Sequence, residues 1–165
     1  LEQANSKKER KALLANKVED MLNTVIRQIA FFQFEKEVHN LRKSTELSID
    51  QICSIWMDVQ KASLGPSIKY EEEYKYFWSY IPHFIHSPFY VYAYAFGDCL
   101  VNSLFNTYEK GLPNFDDKYI NLLKSGGSKK YNELFSPFNL NLSKKSFWKK
   151  GLNVIESFID ELETL

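Results

Sequence analysis

The chain has 165 residues, 44% hydrophobic and 16% aromatic, with 13 Phe and 10 Tyr, which is ample material for a packed core. Its 21 basic and 21 acidic residues cancel and are mixed along the chain, which argues against nucleic acid as a partner, because phosphate binding needs a net basic face. No apolar run approaches the roughly 20 residues that span a bilayer, so no membrane partner is expected.

The opening "LEQANSKKERKALLANK" reads as a polar helix, not as a charged tip followed by the apolar stretch of a signal peptide. Because the chain starts on Leu1, with no initiator Met, inside that pattern, the expectation is a piece cut from something longer. Apolar residues then recur at Leu13, Leu14, Val18, Met21, Leu22, Val25, Ile26, Ile29, Ala30, Phe34, Val38 and Leu41. That spacing, with no Pro or Gly to interrupt it, predicts one long helix over about 6–44. Next, "LSIDQICSIWMDVQKASLGP" predicts a second helix, with Ser48 as its cap and Gly65-Pro66 as its stop. "YEEEYKYFWSYIP" is shorter and ambiguous, and ends at Pro82.

Pro88 sits where a first helical turn tolerates a missing N–H. It predicts a helix through "FYVYAYAFGDCLVNSLFNTYEKG" that stops at Gly111. "NFDDKYINLLKSGG" follows as a helix capped by Asn114, with acidic residues in its first turn. Ser128 or a neighbour starts the brief "KKYNELF" turn, and "LSKKSFWKKGLNVIESFIDELETL" closes the chain as an amphipathic helix. The predicted fold class is all-α, with residues 1–165 as a single helical domain. Cys53 and Cys99, far apart in amphipathic or apolar surroundings, read as free buried thiols of a cytoplasmic protein.

Hydrolytic metal sites place two histidines at i, i+4 around a glutamate, and no such motif is present. His83 and His86 are bracketed by Pro82 and Pro88 with no acidic residue nearby, so they read as part of a turn and not as metal ligands. His39, one turn after Glu35, reads as a helix-surface ion partner. "SGGSKK" (125–130) lacks the spacing of a phosphate loop. "IPHFIHSPFYVYAYAFG" (81–97) is the unusual stretch. In a helix starting near Pro88, Tyr90 and Tyr94 share a face and Tyr92 points roughly the opposite way. Spacing leaves two readings open: an aromatic helix in a core, or a wall of phenols behind the His83 loop that donates hydrogen bonds to an oxyanion.

"VIRQIAFFQFEKEVH", "IPHFIHSPFYVYAYAFG", "YINLLKSGGS" and "FWKKGLNVIESFIDELE", in this order and spacing, resemble the oligoendopeptidase F group of zinc metallopeptidases, relatives of thimet oligopeptidase. The resemblance covers essentially the whole chain. It implies a mostly helical fold with a channel for short peptides, and a zinc-activated water that attacks the scissile carbonyl. In that family zinc is held by His-Glu-x-x-His and a further glutamate downstream of it. None of these matches a position here, so Zn2+ is expected in the full-length enzyme and none on this chain. Carried over by resemblance, His83 matches a loop histidine facing zinc, and Tyr90 and Tyr94 match tyrosines that bind substrate and stabilise the tetrahedral intermediate. Tyr92 matches a substrate-binding position less well, because its helical phase points away, and His86 is not carried over. Tyr131 departs from the proline that relatives commonly carry after the "GGS" loop. The resemblance thus implies the C-terminal helical part of a peptidase catalytic domain, with a short peptide as partner. A reading from a different class is a helical interaction module that has lost catalysis. As one wall of such a channel, the isolated piece is expected to leave apolar helix faces free for self-association, chiefly the stripe through Ile26, Ile29 and Phe34.

Overall fold

In the computed structural model, which describes residue 4 and residues 6–165, every regular element among the described residues is helical. The α-helices are α1 (Lys7–Thr24), α2 (Ile26–Leu41), α3 (Ile49–Leu64), α4 (His83–His86), α5 (Tyr92–Glu109), α6 (Phe115–Ser125), α7 (Tyr131–Phe135) and α8 (Lys145–Thr164). Two 3-10 helices, Glu72–Tyr80 and Ser136–Phe138, complete the set. The all-α expectation holds. No described helix is long and apolar enough to cross a membrane.

Residues 19–96 form one compact unit, and the described residues up to 18 with 97–165 form another. The long helix expected over 6–44 is divided at Val25, whose backbone stays in the right-handed helical region but is stretched to φ −103°, ψ −67°. The break is slight, since Val25 N–H still donates to the Met21 carbonyl and Ile29 N–H to that of Val25. Alongside α2 lies α3, which begins as expected. Ser48 Oγ accepts from Gln51 N–H, and the Gln51 side chain accepts from Ser48 N–H, a reciprocal cap that satisfies two amides left over at the helix start. Gly65 ends the helix at φ +71°, a conformation that glycine adopts without a Cβ clash.

The core of the first unit is aromatic. Phe31 and Phe34 of α2, Trp56 of α3, Ile81 and Val91 are buried together, with Trp78 and Phe84 packed against them. Trp56 Nε1–H donates to the Tyr74 carbonyl at 3.0 Å, which gives the buried indole its partner. Gln60 is fully buried and accepts from two tyrosines, Tyr70 Oη–H on its carbonyl and Tyr74 Oη–H on its Oε1. These bonds anchor the segment after α3 and the start of the 3-10 helix. Phe34, expected on an exposed contact stripe, is only 3% exposed, and Ile29 is the stripe residue left open to solvent.

In the other unit, Leu14 of α1, Leu104 of α5, Phe138, and Phe147 and Ile155 of α8 are buried. Ser103, also fully buried, donates its hydroxyl to the Phe147 carbonyl. Arg10 of α1 pairs with Glu161 of α8. Asn114 precedes α6 but does not cap it through its side chain: its backbone is left-handed at φ +55°, and no side-chain cap bond forms. Ser128 does not start α7 either, because its hydroxyl turns back to the Ser125 carbonyl and Lys130 takes the cap position. Cys53 and Cys99 are free and buried.

Candidate functional site

The segment 81–97 departs from its expected shape in three steps. Pro82 caps α4, a single turn that holds His83 and His86, where the sequence suggested a plain turn. Its missing N–H costs nothing there, since the first amides of a helix have no partner within it. Ser87 then leaves the helix at φ −143°, ψ 64°. Pro88 does not open α5. Phe89, the next residue, takes φ +60°, and α5 begins only at Tyr92.

Despite this different route, the residues expected to meet do meet. Tyr90 N–H bonds to the Ser87 carbonyl, and the Tyr90 carbonyl accepts from Ala93 N–H, which turns the chain directly into α5. His83 Nε2 lies 3.1 Å from the Tyr94 hydroxyl. The His83 ring is parallel to that of Tyr90, with centroids 6.1 Å apart, and edge-on to that of Tyr94 at 5.6 Å. Tyr90 and Tyr94 meet edge-to-face at 5.7 Å. The three rings therefore form one small cluster. Tyr92 stands outside it, its ring edge-on to Phe32 at 6.0 Å, as its phase suggested.

Exposure separates this cluster from the core. Tyr90 is 51% exposed and Tyr94 40%, while Val91 between them is fully buried and anchors the stretch. The phenols are thus supported from beneath and open above. Chemically, the cluster offers neutral hydrogen-bond donors on a fixed support. If Nε2 carries the His83 proton, it donates to the Tyr94 oxygen, and the Tyr94 O–H is left to donate outward, polarised by the bond it receives. With the proton on Nδ1, Tyr94 donates to His83 instead and its outward donor is lost.

His39 and Glu35 depart from expectation. Glu35 is 2% exposed and forms no ion pair with His39; its Oε1 accepts the Phe89 N–H at 2.5 Å. The His39 ring packs on the Phe89 ring, with centroids 4.7 Å apart. The sequence reading put Glu35 on the surface, although a signal for burial was there: it shares the α2 face of Phe31, Phe34 and Val38, so a carboxylate interrupts an otherwise apolar stripe. Among the described residues, no three His, Cys, Asp or Glu side chains come together as a group able to hold a metal ion. They do not fit a zinc centre.

The sequence profile of peptidase family M3 matches residues 1–154. An oligoendopeptidase F homolog of Borreliella burgdorferi is 29% identical over 156 residues, which cover 94% of this chain and 26% of that protein. The chromosomal oligoendopeptidase F of Lactococcus lactis subsp. cremoris is 28% identical over 166 residues, covering 100% of this chain and 27% of its own length. A crystal structure of a Chlamydophila abortus protein assigned as a peptidase superposes with a TM-score of 0.85 at 28% identity, covering 97% of this chain and 27% of that one. The chain spans about a quarter of the length of the curated relatives it matches.

Proposed function

The chain belongs to peptidase family M3, and from that membership we propose that it supplies the substrate-side wall of a zinc metalloendopeptidase that hydrolyses short peptides. His83, Tyr90 and Tyr94 bind the peptide and stabilise the oxyanion that forms at the scissile carbonyl. Tyr92 has at most a substrate-binding part, away from the reacting carbon. The observation that carries this reading is the 3.1 Å approach of His83 Nε2 to the Tyr94 hydroxyl on a half-exposed support. A phenol aligned by an imidazole donates most strongly when negative charge develops on its acceptor, so the interaction favours the transition state over the bound substrate.

The described residues do not fit zinc, so in this reading the metal and the base that activates water belong to the remainder of the enzyme. What this chain contributes is donors and shape. Its two buried free thiols suit a reducing cytoplasm.

The test is a set of isosteric replacements in the full-length enzyme. Tyr94→Phe and Tyr90→Phe keep the ring and remove only the donor; each lowers kcat by about 10²–10³ with little change in KM. Tyr92→Phe leaves kcat near its starting value. If all three are neutral in rate and merely lower the melting temperature, the stretch is core and the reading fails. The chain alone retains no stoichiometric zinc after dialysis and does not cleave a quenched peptide.

A further inference from the structure

We propose that Glu35 is the positioning residue of the His83, Tyr90 and Tyr94 cluster, acting through the backbone of Phe89; this rests on the functional reading above. Glu35 is 2% exposed, and its Oε1 accepts the Phe89 N–H at 2.5 Å across 54 positions of sequence. Its Oε2 is buried with no hydrogen-bond partner. Such a carboxylate is a poor packing residue: an apolar side chain of similar volume would avoid both the desolvation and the unpaired oxygen. What the carboxylate secures is geometry. Its acceptor strength is concentrated on one amide, in a charge-assisted bond.

That amide belongs to a residue that needs holding. Phe89 sits at φ +60°, which a residue with a Cβ adopts only when its surroundings impose it. The main chain is fixed by Glu35, and the side chain by the His39 ring one turn further along the same face of α2. Two contacts from α2 thus lock the residue between the His83 turn and Tyr90. Released, Phe89 returns to negative φ and the chain re-enters α5 in another direction. Tyr90 then leaves its parallel stack with His83, and the Tyr94 hydroxyl loses its 3.1 Å approach. Glu35 hydrogen-bonds to neither the imidazole nor the phenols, so its effect on them is indirect.

The experiment compares Glu35→Ala and Glu35→Gln by NMR in this chain and by kinetics in the full-length enzyme. In the chain, E35A is expected to speed amide exchange at Phe89 by about tenfold or more. It also removes the cross-peaks from His83 to Tyr90 and Tyr94 while leaving those among Phe31, Phe34 and Trp56. E35Q retains a carbonyl acceptor, so it keeps the ring cross-peaks, with Phe89 exchange about two- to tenfold faster than wild type because the acceptor has lost its charge. In the enzyme, E35A lowers kcat by about tenfold or more with KM within about threefold, and E35Q recovers most of the loss. The proposal is overturned if E35A leaves the His83 cross-peaks intact. It is also overturned if E35A abolishes them together with the Phe31, Phe34 and Trp56 contacts, since Glu35 would then be an ordinary core residue. Should E35A not fold, unchanged Phe89 exchange in E35Q overturns it and faster exchange with intact rings supports it. If Tyr90→Phe and Tyr94→Phe prove neutral in kcat while the NMR results hold, the oxyanion reading fails and the positioning role of Glu35 stands.

Discussion

Gly151 of α8 faces Cys99 of α5 so closely that a Cβ built on the glycine would lie 2.7 Å from the Cys99 carbonyl oxygen and 3.0 Å from its Cα. Both are backbone atoms, so no rotamer change relieves the clash. Gly151→Ala therefore destabilises the chain by about 1–2 kcal/mol, because overpacking outweighs the roughly 1 kcal/mol that alanine gains in a helix interior. Urea melts followed by circular dichroism read this directly. Adding Cys99→Ala should recover little, since the obstruction is main chain; full recovery would place the conflict at the sulfur instead.

His83 must carry its proton on Nε2 for Tyr94 to keep an outward donor. Nitrogen-15 spectra of the imidazole at neutral pH are expected to show that tautomer, and the opposite one would remove the chemical basis of the oxyanion assignment. In the full-length enzyme His83→Ala lowers kcat in the same direction as Tyr94→Phe. The double variant is then little worse than either single change, as expected for groups that act as a unit.

Burial, reinforced by the neighbouring Asp98 carboxylate, pushes the Cys99 thiol from its ordinary 9.0 up to about 11. Above pH 9 the unfolded thiol ionises while the folded one keeps its proton, so the unfolded state binds fewer protons and stability falls as pH rises. The loss develops between pH 9.0 and about 11 and reaches up to roughly 2 kcal/mol. Cys99→Ala should flatten that part of the stability profile. At pH 8 the raised value cuts the thiolate fraction by about 100-fold, so a disulfide reagent should label Cys99 quickly only after denaturation.

Ser48→Ala removes the acceptor for Gln51 N–H at the start of α3 and should cost about 1 kcal/mol, with Ser48→Asp close to wild type. A loss below about 0.3 kcal/mol would mean that water replaces the cap at no cost.

The parts of this fold that follow from local chemistry were legible in the sequence. Ser48, Gly65 and Gly111 bound their helices as read, because caps and left-handed stops depend on neighbouring residues. Tyr90, Tyr94 and His83 come together although Tyr90 precedes α5, because the Ser87–Tyr90 and Tyr90–Ala93 turn bonds carry the chain straight into the helix, and Tyr92 diverges toward Phe32. Pro88 was misplaced for the opposite reason: the conformation of Phe89 is set by Glu35, 54 positions earlier, which no local window contains. Glu35 was read as a surface partner of His39 because spacing identifies a face without saying whether that face is buried. The break at Val25 had no punctuating Pro or Gly. Asn114 was recognised as a boundary, but its left-handed backbone is compatible with a turn as readily as with a cap.

The tryptophans are divided between the two compact units, Trp56 and Trp78 in residues 19–96 and Trp148 in residues 97–165. Their indole N–H groups also differ in partner: Trp148 donates to the Leu142 carbonyl at 2.9 Å, and Trp78 to the Cys53 sulfur at 3.5 Å. Intrinsic fluorescence is therefore already resolved by location. With Trp148→Phe the emission comes from residues 19–96 alone, and with Trp56 and Trp78 replaced it comes from residues 97–165. Two such spectra followed through one denaturant series would reveal whether the halves of this chain melt as one cooperative body or in succession.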